Sequence, residues 1–148
     1  MSIQKDITEK MKEAMKAKDN VSLTALRALK SAFLLAKTEA GAGELNDEQE
    51  LKIIQKQVKQ RKDSAKVYLE QNRQDLADPE LAEAKVLEQF LPEALSEEEI
   101  AKVVTAVINE VNANGMKDMG KVMGIVSKKL AGQADGKTIS TIVKQKLS

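Results

Sequence analysis

The residues best equipped for chemistry stand in two places. Near the end, Met119-Gly120-Lys121-Val122-Met123-Gly124 sets two glycines four apart beside a lysine. Two helical glycines cost roughly 1 kcal/mol each against alanine, so something must offset them. The pair lets another helix cross closely, or lets a bulky ligand such as a sugar-phosphate backbone reach the main chain, and the two are compatible if the glycines pack one helix and free its N-terminus. Asp118 and Asp135 mark two helix starts nearby, with Lys117, Lys121 and Lys137 beside them. Free amides, a helix dipole and lysines together favour an anion. Lys128, Lys129, Lys144 and Lys146 extend the positive charge.

The second place is Lys59-Gln60-Arg61-Lys62-Asp63-Ser64. On a helical wheel Leu51, Ile54, Val58, Ala65, Tyr68 and Leu69 share one sector, and Lys52, Lys56, Lys59, Lys62 and Lys66 lie opposite. Arg61 falls inside the apolar sector, with Ser64 at its edge. Arg61 can lay its stem on the core with its head in water. Alternatively a carboxylate holds it in a cleft between helices, since an unpaired buried guanidinium is costly. Asp75 is a possible partner.

Other chemistries are poorly supplied. The 148 residues contain neither cysteine nor histidine, which excludes thiolate metal sites and disulfides and removes the commonest general base. Neither a phosphate-cradling glycine loop nor a metal-spaced cluster is present. Ser64 beside Lys62 lacks the glycine- and serine-rich setting of serine–lysine amidases. No catalytic residue, metal or cofactor is expected. No aromatic residue follows Phe90, so the basic C-terminal part cannot stack unpaired bases. RNA bound there would be read by backbone and shape, with strong salt dependence.

The elements that position these residues are all expected to be helices. Ser2 caps a first stripe of Ile3, Ile7, Met11, Ala14 and Met15. A second helix spans Asn20 to Ala40, with Ala25, Leu26, Leu29, Ala32, Phe33 and Ala36 on one face, and Gly41-Ala42-Gly43 stops it. Asn46 and Gln49 form a capping box for a third, running to Gln71 before Asn72. Asp78-Pro79 opens a fourth, with Leu81, Ala84, Leu87 and Phe90, ending before Pro92. Ser96 and Glu99 box a fifth, carrying Ile100, Val103, Val104, Val107, Ile108 and Val111 up to Asn114-Gly115. Asp118 caps a sixth that ends at Gly132. Asp135 caps a seventh with Ile139, Ile142, Val143 and Leu147. The expectation is an all-α chain with a four-helix lobe, residues 1–92, and a three-helix lobe, residues 96–148. Three aromatics in the whole chain (Phe33, Tyr68, Phe90) mean aliphatic cores, marginal in lobes this small.

The net charge of +1 hides blocks of one sign. Lys52–Lys66 holds six bases and one acid; Asp75–Glu99 holds nine acids and one base; Gly115–Ser148 holds seven lysines and two acids. No apolar run is long enough to span a bilayer and the first residues form no apolar signal core, so the cytoplasm is the expected location and no membrane partner is expected.

Arg27-Ala28-Leu29-Lys30-Ser31, the Lys59–Ser64 segment, Arg73-Gln74-Asp75-Leu76-Ala77, Phe90-Leu91-Pro92, the Met119–Gly124 segment and Gly132-Gln133-Ala134-Asp135-Gly136 occur in one order. As a set they resemble the GatB/YqeY family across essentially the whole chain. The resemblance implies a C-terminal lobe similar to the tail of the B subunit of the glutamine-dependent aspartyl/glutamyl-tRNA amidotransferase. There the tail helps hold tRNA, while amidation and ammonia production occur in other domains. Similar domains are fused to some glutaminyl-tRNA synthetases. Carried over, it marks Gly120, Lys121, Gly124, Gly132 and Gly136 as RNA contacts; charge adds Lys117, Lys128, Lys129 and Lys137. Gln133 stands where the family usually has arginine, a natural phosphate ligand. The resulting expectation is a non-catalytic tRNA-binding accessory protein, acting free or beside an aminoacylation or amidation enzyme. The alternatives are a helical adaptor docking through Lys52–Lys66 and the Asp75–Glu99 block, and a weak carboxylate enzyme.

Overall fold

A computed structural model describes residues 2–39, 41 and 43–148. The expected end of the second helix at Ala40, and Ala42 within its stop signal, lie outside the described residues. The described residues form seven α-helices and no strand: α1 (Ile3–Ala17), α2 (Asn20–Glu39), α3 (Asp47–Glu70), α4 (Gln74–Glu88), α5 (Glu97–Val111), α6 (Met119–Lys129) and α7 (Gly136–Leu147), with one 3-10 turn at Met116–Asp118. The chain divides into two compact units, Met1–Leu91 and Pro92–Ser148. Among the described residues no helix is long and apolar enough to cross a membrane.

Helix ends in the first unit follow local chemistry. Ser2 Oγ accepts from the Lys5 amide, and Asn46 and Gln49 exchange both bonds of a capping box. Asp19 closes the start of α2: its carboxylate accepts from the Ser22 hydroxyl at 2.6 Å and the Ser22 amide at 3.1 Å. Lys18 and Asn72 take left-handed backbone, at φ 56° and 59°, to end α1 and α3. Asparagine tolerates that conformation because its short amide can bond locally.

The core of this unit is aliphatic around two rings, Phe33 and Phe90. Ile7, Leu26, Leu29, Phe33, Ile54, Val58 and Leu87 are buried together. Met15, Leu69 and Leu81, which the periodicity assigns to apolar faces, are exposed. Each helix of so small a unit has neighbours on a narrow side only, so the outer edge of each stripe is left in water.

Helices α3 and α4 pair along their length. Ala65, Ala77 and Ala84 are all buried, and side chains this small let two helices run close together. Here the expected start of the fourth helix needs correction. It opens at Gln74, and Pro79 lies inside it. The Leu76 and Ala77 amides already donate to the Arg73 carbonyl, and Ala77 is buried against its neighbours. Packing thus outweighs the one backbone bond that Pro79 cannot donate.

Arg61 sits over this seam. Its Nε donates to Glu83 Oε1 at 3.3 Å, and its Nη1 donates to the Gln57 carbonyl at 3.1 Å and to Gln57 Oε1 at 2.8 Å. The Arg61 and Glu83 side chains are only 12% and 18% exposed. The partner is therefore Glu83 and not Asp75. Asp75 is engaged two residues away, where Arg73 grips both its oxygens at 3.0 and 2.9 Å. That bond holds the Asp75 carboxyl below the usual carboxylate range and raises the Arg73 guanidinium.

Glu50 is a further buried charge, one that helical periodicity does not mark. It is 5% exposed, and its Oε2 accepts from Gln4 Nε2 at 3.1 Å. Gln4 Oε1 in turn accepts from Lys37 Nζ at 2.8 Å. This relay ties α1, α2 and the first turn of α3, where the helix dipole favours a carboxylate.

Arg61→Ala leaves Glu83 half-buried without its cation, and should lower stability by about 1–3 kcal/mol in chemical denaturation. A double-mutant cycle with Glu83→Ala should show coupling, and the same cycle with Asp75→Ala should be additive. The Ser22 hydroxyl, then the Ser22 amide, hold the Asp19 carboxyl below the usual carboxylate range. Its contribution is therefore present above the ordinary carboxylate pKa and fades as pH falls through the lowered folded value. A carbon-detected NMR titration should find the Asp19 midpoint low, and Ser22→Ala should bring it up.

Candidate nucleic-acid interface

The second unit is built on valine and isoleucine. Val104, Val107, Val122, Val126, Ile139 and Val143 form its centre, and their branched chains leave one short-armed face on each helix. Ser96 and Glu99 form the capping box of α5. The helix closes at Asn112, left-handed at φ 53°, two residues before the expected Asn114-Gly115 stop. The Ala113 amide reaches back to the Ile108 carbonyl at 3.0 Å to seal that end.

Asp118 does not cap α6 as expected. The 3-10 turn before it directs the carboxylate backward, where Oδ2 accepts from the Asn114 amide at 2.8 Å. The first turn of α6 therefore begins without a side-chain cap and without an acidic residue. Asp135 does cap α7, accepting from the Thr138 amide at 2.7 Å. Both acids of the Gly115–Ser148 block are thus tied to nearby amides.

Helix α6 ends at Lys129, short of the expected Gly132. Gly132 is buried with φ 81°, a backbone conformation that glycine adopts without strain. Beyond it, Gln133 closes the unit on itself. Its carbonyl accepts from the Leu95 amide at 3.0 Å, and its side-chain Nε2 points at the Glu93 carbonyl at 3.5 Å.

The glycine pair is where the two readings of the sequence part. Gly120 and Gly124 are both exposed, and no atom of another element lies within 4 Å of where a β-carbon would stand on either. Close helix crossing is therefore not what these glycines serve among the described residues. At about 100° per residue, Gly120, Gly124, Lys128 and Lys121 fall within a sector of about 100° on α6. All four are exposed, and Val122 and Val126 occupy the opposite, buried side. The result is a strip of bare helix backbone bordered by two lysines.

The remaining candidates are distributed around this strip. Lys117 is exposed in the 3-10 turn before α6, and Gly136 and Lys137 are exposed in the first turn of α7. Nothing lies within 4 Å of a β-carbon placed on Gly136. Lys129 leaves the strip and faces α5, pairing with Glu110 at 3.4 Å.

Charge is used differently on α3. Lys52 pairs with Glu48 at 3.1 Å, Lys59 with Asp63 at 2.8 Å and Lys62 with Glu88 at 2.6 Å. Ser64 is half-buried in the seam, and the Lys62 ammonium is held by Glu88, away from any role as its base. By contrast, among the described residues Lys117, Lys121, Lys128, Lys137, Lys144 and Lys146 have no carboxylate at ion-pair distance. Three lysines of the Lys52–Lys66 face are thus neutralised locally, whereas of the seven lysines from Gly115 onward Lys129 is the one with such a partner among the described residues, and the other six can meet an anion.

Comparison with known proteins agrees with this family resemblance. The chain is 39% identical over 108 residues to "Altered inheritance of mitochondria protein 41, mitochondrial" of Clavispora lusitaniae, covering 70% of this chain and 61% of that protein. It is 29% identical over 131 residues to the protein of the same description from Kluyveromyces lactis, covering 86% of this chain and 71% of that one. It is also 39% identical over 88 residues to a glutamyl-tRNA(Gln) amidotransferase component of Thermococcus gammatolerans, covering 56% of this chain and 14% of that protein. The chain thus spans less than two thirds of the Clavispora protein and a small part of the amidotransferase component. The pattern of the family described as Yqey-like protein matches residues 4–147, and the chain belongs to that family.

Proposed function

We propose that this protein is a non-catalytic accessory protein that holds tRNA on its second unit, acting free or beside an aminoacylation or amidation enzyme. The observation that carries the reading is the exposed Gly120–Gly124 strip. A helix gives up stability for two glycines that no neighbour needs, and both lie beside lysines without acidic partners. A phosphate backbone could approach such a strip to main-chain distance while Lys121 and Lys128 meet its charge. Lys117, Gly136 and Lys137 would extend the contact. Gly132 would serve by shaping the turn between α6 and α7, and Lys129, held by Glu110, would add a phosphate contact only on leaving that carboxylate. The amidotransferase relative's name supplies tRNA as the natural nucleic acid. The absence of histidine and cysteine supports a binding role over a chemical one. The proposed place of action is the cytoplasm; the mitochondrial designation of the fungal relatives is theirs.

Filter binding of total tRNA tests this. For about four phosphate contacts, affinity should fall about 100-fold between 50 and 200 mM salt. Lys121→Ala and Lys128→Ala should each reduce the magnitude of the salt slope by about 1. Absence of binding at low salt would reject the proposal.

The glycines give a sharper measurement. Gly124→Ala meets open space, so it should stabilise the unit by about 1 kcal/mol. Gly124→Leu should also keep or raise the melting temperature while weakening tRNA binding about tenfold or more, by holding the phosphates off the backbone. A leucine variant that melts higher and binds unchanged would show that nothing approaches there.

A further inference from the structure

The first unit carries a small recess that the tRNA reading does not use. It lies between α1 and α2, holds about 160 Å³, and has Ile7 and Phe33 as its floor. Gln4, Thr8, Lys30, Leu34 and Lys37 form its walls and mouth. Leu34 is 67% exposed, and its neighbour Leu35 also stands in water.

The mouth is positively charged and one side of it is fixed in place. Buried Glu50 holds the Gln4 amide, and Gln4 Oε1 holds Lys37 Nζ at 2.8 Å. Lys37 keeps further donor protons for an incoming group. Lys30 stands one turn before Leu34, and among the described residues neither it nor Arg27 has a carboxylate at ion-pair distance. Within α2 the only acid is Glu39, at its last residue.

Size and chemistry decide the occupant. A cavity of roughly 150 Å³ accommodates a benzene-sized group, whereas small-molecule sites usually run from about 300 Å³ upward. The recess takes one leucine-sized side chain. Leu34 lines the recess and Leu35 stands in water beside it, so a helix that continues along α2 covers apolar surface that a small molecule seated in the recess does not reach. RNA fits poorly, because Phe33 is buried and offers no face for a base, and phosphates do not cover leucines. We infer that the α1–α2 groove docks an acidic amphipathic helix of a partner protein, seating one leucine-sized anchor between Ile7 and Phe33 and meeting Lys30 and Lys37 with carboxylates. Helix-in-groove recognition of this kind works through anchors at helical spacing.

The probe is a synthetic alanine-based helix of about 15 residues with two leucines four apart and flanking glutamates, titrated into the isotope-labelled full chain. Saturable amide shifts should cluster at Gln4, Thr8, Lys30, Leu34 and Lys37. Lys30→Glu and Leu34→Asp, both at exposed positions, should keep the melting temperature and weaken binding about tenfold or more. A probe with its leucines replaced by alanine should bind as weakly. Absence of shifts at millimolar probe, shifts centred elsewhere, or equal binding of the leucine-free probe would overturn the inference. So would total tRNA shifting the same amides with the same sensitivity to Lys30→Glu, which would make RNA the occupant. Concentration-dependent self-association abolished by Leu34→Asp would overturn it as well, in favour of a second copy of this chain.

Discussion

Neither unit has a bulky core, and that constraint governs how the chain is held. Two aromatic rings, Phe33 and Phe90, are buried in the first unit, and the second contains none. Aliphatic packing over so few residues stabilises little beyond the entropy cost of ordering the chain. Fixing the helix ends is therefore a large part of specifying the fold. Ser2, Asp19, Asn46, Ser96 and Asp135 each accept an amide at a helix start. Lys18, Asn72, Asn112 and Gly132 turn the chain through left-handed backbone where helices stop. Helix length is thus set at the ends, and the valine and alanine seams follow from where those ends fall.

Polar groups inside the first unit complete the same task. Arg61 bridges Gln57 and Glu83 across the α3–α4 seam, and Glu50 links through Gln4 to Lys37. Paired in this way, a buried charge restricts the helices to one register, because sliding either helix would strand a guanidinium or carboxylate. The second unit has no comparable inward-facing ion pair among its described residues. Its cations point outward, and Lys129–Glu110 is its one surface pair among them. The contrast assigns charge to cohesion in one unit and leaves it available at the surface of the other.

What can be read from the sequence is what local chemistry decides. The Asn46–Gln49 and Ser96–Glu99 boxes and the Asp135 cap are spacings of three residues, and each forms. The family likewise follows from ordered motifs. The failures share a different cause: each depends on contacts distant in sequence or on competition between local bonds. Asp78-Pro79 resembles a helix start, but burial of Ala77 pulls the start back to Gln74. Asp118 has the spacing of a cap, but the Asn114 amide claims it. The helical wheel places Arg61 correctly among apolar neighbours, yet the choice of Glu83 over Asp75 needs the α3–α4 pairing, since Asp75 has Arg73 beside it. Glu50 sits one position from Leu51 and carries no sequence mark of its burial. A helical wheel of α3 alone cannot show that Gln4 of α1 covers it.

The glycine pair and Gln133 bear on each other in the proposed reading. Where the family usually has arginine, Gln133 uses its carbonyl and amide on the backbone of Leu95 and Glu93, at the start of its own unit. The carbonyl contact depends on backbone alone and is open to any residue at that position. The strip formed by Gly120, Lys121, Gly124 and Lys128 belongs to a different element, α6, and its exposure is set by Val122 and Val126 on the opposite side. Exchanging an arginine for glutamine removes one charge from the α6–α7 turn and leaves the bare backbone as it was. On this geometry, loss of the arginine should reduce affinity by the value of one phosphate contact without removing the surface that an RNA backbone would approach.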